Sequence, residues 1–530
     1  MGRGQSRLKA LLLFVMGVFY VTFSFVVYGQ EALSSYEDLY YDFLSLIGKE
    51  TRPYLNYKTL SDNAWKSQKA WRVYGPDLFF SYNSARPYGY NDGALWQGRG
   101  VNVSLTGGAR FQSSLFEATL KPQLVYSQNE AFPLLPSSYP SSYGYIWGYG
   151  FGVGADAPQR FGNDPIFNFS WGDSELRYTN NRFTTGIGYQ SPWLGPGRIN
   201  SIMHSNNAPP YPKIDLGFRK TPLIIWGTYL GDIEARLWGG YLSESKFFDT
   251  DDSNNHNLIS ALSVAFAPAF APGLTFFVNR SYLAPWKLDS GKSFLNLFIV
   301  NPSGGGAQDE WDQRGSLGFD YLLSSVGFEV YGELGLNDYG PSLDGYVRYP
   351  FHSMVYTVGL RKAFASSFWG STMGEILLEL TNLEISQDFQ FQWPATFYMH
   401  HQIAQGYTNE GQWLGAGIGT GGNSQYLGVR LYFPWGYGEL FIQRVNPDND
   451  FLYRLTIGTF NDDTVSKRIK DFRADLTFGG RMVRFYNDNL LFRLGLLLTI
   501  INNPYYDSIS WNKTQKEYNF RFECGIVYKI

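Results

Sequence analysis

Past residue 30 the chain has no run of 18 consecutive apolar residues, which excludes a transmembrane helix in that part. It has one cysteine, Cys524, so no internal disulfide can form and that side chain reads as a small hydrophobe. No basic run is present, and 43 Lys and Arg stand against 46 Asp and Glu for a net charge of −3, so nothing is there to neutralise phosphates and nucleic acid is excluded as a partner. There are five histidines, His204, His256, His352, His400 and His401, and no Gly-x-Ser-x-Gly. His204 and Ser205 are sequential, so on a strand they would point to opposite faces and could not act as a nucleophile and its base. His400-His401 has neither helical spacing nor a nearby cysteine for a metal. Asp249-Thr250-Asp251-Asp252-Ser253-Asn254 has the acidic spacing of a calcium loop but Asn where Gly is needed at position six. No catalysis, metal or cofactor is expected.

What the sequence has in excess is aromatic: 18% of residues, with 39 Tyr, 42 Phe and 15 Trp, alongside 58 Gly. Tyr and Trp gather where one end of the ring is apolar and the other wet. The C-terminus shows how they are used. Tyr518, Phe520, Phe522, Cys524, Ile526, Tyr528 and Ile530 share one strand face, and Asn519, Arg521, Glu523 and Lys529 lie on the other. An aromatic-bounded strand ending the chain is how a bacterial transmembrane β-barrel closes.

The same alternation recurs from about residue 72, at 101–111 and 116–126, at 182–190, 222–230 and 233–244, at 257–267 and 273–281, and at 311–322 and 326–335. It continues at 353–362, 372–381, 425–434, 437–446, 470–480, 489–500 and 517–530. Weaker strands fall in 143–153, 165–180 and 390–398, giving about 18 in a single antiparallel barrel. Pro122 predicts a bulge in the second of these segments. Charged residues such as Glu329, Glu375 and Glu379 recur on the inward face, which calls for a wet or hydrogen-bonded lumen. The bulky inward Trp238, Phe277 and Tyr331 point to occlusion. Long connections at 127–172, 282–310, 336–352, 386–424 and 501–516 are expected outside the cell, and short turns on the periplasmic side.

Before the barrel come two other segments. Residues 1–29 carry Arg3, Arg7 and Lys9, then an apolar run from Leu11 to Val27, then small residues for cleavage before Gln30, the pattern of a secretory signal peptide. No cysteine lies near that point, so a lipoprotein is excluded. Residues 30–71 read as a small periplasmic helical element. Leu33, Tyr36, Leu39, Tyr40, Phe43, Leu44 and Ile47 recur at helical spacing behind a Ser34/Glu37 capping box, and a second helix is predicted over Thr59 to Trp71. Residues 72–530 form the barrel. An exported barrel places the protein in the outer membrane of a Gram-negative cell, with outer-membrane lipid around it.

Two polar-aromatic blocks stand out. One contains Tyr82-Asn83-Ser84, Tyr88 and Asn91-Asp92-Gly93-Ala94-Leu95-Trp96-Gln97-Gly98; the other runs from Trp193 through Gly195-Pro196-Gly197-Arg198 to Ser205-Asn206-Asn207-Ala208-Pro209. Over about 74–250 these strings, in this order, resemble the Wzi-type capsule assembly proteins of Gram-negative outer membranes. The resemblance implies a closed barrel with a periplasmic helical bundle and a lectin-like role, holding capsular or extracellular polysaccharide at the cell surface. Capsule-export machinery is a further partner it implies. It carries no binding motif over residue by residue, so candidate polysaccharide-binding residues rest on chemistry. Aromatic faces meet sugar C–H surfaces, and amides, carboxylates and guanidinium meet hydroxyls. On that basis the candidates are Tyr82, Asn83, Tyr88, Asn91, Asp92, Trp96, Gln97, Trp193, Arg198, Asn206 and Asn207. The same residue types also build turns and girdles. A substrate-specific porin shares the barrel and would differ in having an open lumen; a structural or secretion-complex subunit would show itself by its partners.

Overall fold

In a computed structural model, residues 36–60, 70–135, 155–287, 290–298, 311–337, 347–348, 354–385, 396–400, 402–456, 470–487, 489–508 and 515–528 are described. Eighteen antiparallel strands close on themselves. They are β1 (Trp71–Asn83), β2 (Gly100–Gln112), β3 (Phe116–Leu120 continued by Gln123–Ser127), β4 (Ile166–Ser170 continued by Glu175–Asn180), β5 (Phe183–Gly188), β6 (Lys213–Ile225) and β7 (Thr228–Ser243). Then follow β8 (His256–Pro268), β9 (Leu274–Pro285), β10 (Asp312–Leu323), β11 (Phe328–Asn337), β12 (Met354–Ala365) and β13 (Met373–Asn382). The last five are β14 (Asn423–Phe433), β15 (Gly436–Asn446), β16 (Ala474–Asn487), β17 (Leu490–Asn502) and β18 (Lys516–Tyr528). Each pairs with its sequence neighbours, and β18 closes the ring on β1 from Asp77↔Val527 to Asn83↔Arg521. Closure removes every open edge, the condition for a sheet in lipid.

The alternation of the sequence becomes inside and outside. On β18, Tyr518, Phe520, Ile526 and Tyr528 are exposed on the outer face, while Asn519, Arg521 and Glu523 are buried in the lumen. Cys524 has the outward parity expected of it. The break at Pro122 is present: β3 is interrupted at Lys121-Pro122, and opposite it a side chain at Gly108 would collide with the Leu120 carbonyl. One group of inward charges is buried and paired within itself. Arg177 bonds Glu175 (2.7 Å) and Asp215 (2.6 Å), and Asp215 also holds Lys213 (2.9 Å) and Arg236 (3.2 Å). All five are buried, and burial is tolerated because each charge is paired.

Several strand expectations are corrected. The predicted 222–230 strand straddles a turn, because Trp226 takes a positive φ of 49° and, with Gly227, reverses the chain between β6 and β7. Within 390–398, residues 390–395 lie outside the described residues and Thr396 makes only an isolated bridge to Met399. The weak strand at 143–153 also lies outside them. β1 takes up Tyr82 and Asn83 of the first polar-aromatic block, so that part of the block is barrel wall and not loop. Of the predicted second helix, Trp71 is strand; residues 61–69 are not described.

Short turns connect one end of the barrel and long loops the other. At the short-turn end sits α1 (Tyr36–Leu46). Phe43 stacks on Tyr432 at 3.6 Å and, with Leu46, packs against Tyr437, Val483, Leu491 and Val527. From the other end, the 189–212 and 396–422 loops fold down into the barrel. Ile202, Met203, Tyr211, Tyr398, Tyr407, Trp413 and Leu414 form a buried apolar core with the inward Trp238. Phe277 and Tyr331 are also inward and buried.

Candidate functional site

The 189–212 loop is the axis of the interior. Trp193–Leu194 pairs antiparallel with Tyr57–Lys58, the chain leading into β1. Beyond it, the buried Glu379 carboxylate on β13 accepts from the backbone N–H groups of Arg198 (2.5 Å), Ile199 (3.1 Å) and Asn200 (2.8 Å), and from the Tyr331 hydroxyl (2.7 Å). The Arg198 guanidinium donates to Glu329 on β11 (2.8 Å) and lies 3.3 Å from Asp42 of α1. Asp42 is also held by Arg52 (3.0 Å) and by Arg361 on β12 (2.7 Å). Burial alone would raise the Asp42 carboxyl, but Arg198, Arg361 and Arg52 outweigh it and hold it below the usual carboxylate range. An inserted loop and an N-terminal helix thus meet on one ion-pair network inside the barrel.

The far end of the same loop holds the 84–99 loop. Gly93 N–H donates to Asn206 O (2.9 Å), Asn91 N–H to Asn207 Oδ1 (3.2 Å), and Asn91 Nδ2 to Ile199 O (3.2 Å). Asn91 stands at a positive φ of 63°, where Asn is among the few side chains accepted. Beneath the two loops lies a cavity of ≈ 410 Å³, within the ~300–1,000 Å³ usual for small-molecule sites. Tyr88, Asn91, Asp92, Trp193, Arg198 and Asn206 all line it, so six of the candidate residues converge from two loops about a hundred residues apart. Burial pushes the Asp92 carboxyl up to about 6 against the pull of Arg521.

The other candidates are placed differently. Tyr82 points out of β1, exposed beside the lipid-facing Phe522, and is separated from the cluster. Asn83 is buried and spends its amide on the carbonyls of Tyr88, Gln97 and Gly98, closing the loop. Gln97 accepts from Ser81 (2.5 Å) and from Arg521 (3.2 Å). Trp96 packs on Phe161 with ring centroids 4.8 Å apart, away from the cavity lining. Asn207 clamps the loop by donating to Trp413 O (2.9 Å). Trp193 lines the cavity while its Nε1 donates to Gly197 O (2.9 Å), so it shapes its own loop as well.

Both of these loops turn inward from the long-loop end of the barrel. Leu39 and Asp42 of α1 add to the lining, and most of the remainder comes from strand residues that the sequence showed only as inward charges and rings: Arg361, Glu375, Tyr426, Arg430, Phe441 and Arg521 among them. Their inward parity was the signal. No cluster of three or more His, Cys, Asp or Glu able to hold a metal occurs among the described residues. His204 is buried between Pro192 O and the Tyr211 hydroxyl, 2.8 Å from each, and burial pushes its pKa down to about 4. It is a neutral structural link.

The family model for capsule assembly protein Wzi matches residues 85–437, a stretch that takes in both loops. No curated protein matches the chain. Among solved structures, Wzi of Escherichia coli, "an Outer Membrane Protein Involved in Group 1 Capsule Assembly" and "a Carbohydrate Binding Beta-Barrel", is similar at a TM-score of 0.58 and 11% identity, covering 95% of this chain and 99% of that one. At that identity the likeness is one of fold. OprB of Pseudomonas putida (TM-score 0.38, 11% identity, 96% and 100% covered) and OprD of Pseudomonas aeruginosa (0.39, 9%, 88% and 96%) are similar at lower scores.

Proposed function

We propose, from the premise that this chain belongs to the capsule assembly protein Wzi family, that it is an outer-membrane barrel which binds capsular or extracellular polysaccharide and retains it at the cell surface. The observation that carries the reading is the family match across 85–437, which includes the two loops where aromatic and amide residues converge. The Escherichia coli relative of the same fold is a carbohydrate-binding barrel, and that chemistry is the one aromatic faces and hydroxyl-matching side chains suit. The exposed apolar outer face supports residence in lipid after a signal peptide ending before Gln30 is removed. Capsule-export machinery is a natural neighbour on this reading, and no catalytic step is assigned.

Support against the porin alternative comes from the interior. The 189–212 and 396–422 loops build an apolar core in the lumen, and α1 packs across the other end. An open conduit would need that space filled with water. Binding of purified protein to polysaccharide isolated from the producing cells tests the proposal. Saturable binding is expected, and binding no stronger than that of an unrelated barrel would refute it.

A further inference from the structure

One long connection turns outward instead of inward. After β9, the short α2 (Ser293–Asn296) lies back across the outer surface of the barrel wall. Gly239, Ser260, Tyr282 and Gln313 are register partners on β7, β8, β9 and β10, and they share the outward parity of their strands. Phe294 sits on Gly239, where a side chain would come within 2.4 Å of its ring. Ser293 Oγ shares a hydrogen bond of 2.6 Å with Ser260 Oγ, and the Leu297 carbonyl accepts from Arg280, also outward on β9, at 3.4 Å. In the same stretch of wall the Arg280 guanidinium donates to the Tyr282 hydroxyl (2.6 Å) and to Gln313 Oε1 (3.0 Å). The connection thus covers a polar row that would be costly to leave against hydrocarbon.

The cover is itself apolar on its outer side. Leu295 and Phe298 are 67% and 65% exposed, and they stand toward the long-loop end from the exposed outer face formed by Phe276 and Val278 of β9 and Leu317 and Phe319 of β10. Trp286 is also exposed and meets Tyr241 edge-on with centroids 4.8 Å apart; Tyr241 in turn lies 4.6 Å from the His256 ring. Lys287 and Lys292 are exposed, and the described residues of this connection, 286–287 and 290–298, include no carboxylate. We propose that Trp286, Lys287, Lys292, Leu295 and Phe298 form a site for an acylated, phosphorylated glycolipid of the outer leaflet. Acyl chains lie on Leu295 and Phe298, the sugar beside the Trp286 ring, and the phosphates at the two ammonium groups. Continuity with the lipid-facing wall favours a lipid over a protein, and the ring and lysines favour a phosphorylated sugar as its headgroup. The site is on the outside of the wall, apart from the interior loops, and goes beyond the polysaccharide reading.

The lone cysteine makes the test direct. In a Cys524→Ser background, Leu295→Cys carries a polarity-sensitive dye, with Phe298→Cys as the second position should the first fail to fold. The full-length barrel in detergent is titrated with lipopolysaccharide from a rough strain, which has the acylated, phosphorylated sugar and core but no polymer. A saturable blue shift is expected, and Lys287→Gln with Lys292→Gln should raise its midpoint several-fold. Phosphatidylglycerol, anionic but without the phosphorylated sugar, should need a several-fold higher concentration for the same shift. An equal response to phosphatidylglycerol, or a midpoint that the lysine changes leave in place, overturns the proposal and makes the patch ordinary lipid-facing wall. A blue shift that grows with protein concentration in the absence of lipid also overturns it, by giving the patch to a second copy. The dye-free Lys287→Gln, Lys292→Gln protein is expected to bind polysaccharide as the wild type does, so failure of the glycolipid site and failure of the polysaccharide reading are seen separately.

Discussion

Replacing Glu379 by Gln should release the 189–212 loop while leaving the barrel wall closed. The buried Glu379 carboxylate takes three backbone N–H groups and the Tyr331 hydroxyl on its two oxygens. In the amide, one oxygen still serves Ile199 and Asn200, but an NH₂ group faces the Arg198 N–H. One charge-assisted bond, worth about 1.5–3 kcal/mol, is lost, and a buried donor left without an acceptor costs about 1–3 kcal/mol more. A local loss of about 4 kcal/mol corresponds to roughly a thousandfold in an opening equilibrium. Amide hydrogen exchange at Arg198, Ile199 and Asn200 should therefore accelerate by about that factor, while exchange in β13 itself changes little. Polysaccharide retention should fall with it, since Trp193, Arg198 and Asn206 are carried on this loop. Unchanged exchange at the three amides would refute the account of how the loop is held.

Asp42→Asn removes a buried carboxylate from three guanidiniums and should destabilise the seat of α1 by about 3–5 kcal/mol; trypsin cleavage after the exposed Lys49 should then quicken in the folded barrel, and an unchanged rate would contradict the network. His204 is held near 4, below its ordinary 6.5, so the folded state binds fewer protons than the unfolded state between those values. Its destabilising contribution grows as pH falls through that window, reaching about 3 kcal/mol below pH 4, and His204→Gln should remove that part of the acid sensitivity in denaturant titrations at pH 7 and pH 4. In planar bilayers the wild-type barrel should give no steady porin-scale current, because loops and helix fill the lumen; a sustained nanosiemens conductance would favour the porin reading.

The wall was legible because lipid on one side and a polar interior on the other impose a period of two on each strand, and β18 shows it residue by residue. β1 was harder to see, since Gly75-Pro76 shifts its register against β2 and its outward Phe80 and Tyr82 sit within a run of aromatic and polar residues. The Trp226-Gly227 reversal carries no polar turn signal, so it read as strand. The six converging candidates were visible as residue types suited to sugars, but composition does not say whether a loop folds over a barrel or into it. That direction is set by contacts across the chain, such as Arg198 with Glu329 and Asp42, 131 residues apart in one case and from a separate helix in the other. Inward parity marked Glu329 and Glu379 as lumen residues; their partners became visible only in three dimensions.

The most direct measurement is the partition of capsular polysaccharide between cells and medium in a strain lacking this protein, with and without the chain restored. The account predicts that deletion moves polysaccharide into the medium without reducing the total made, and that restoring the chain returns it to the surface. A partition that does not change on deletion would contradict the claim that this barrel retains polysaccharide.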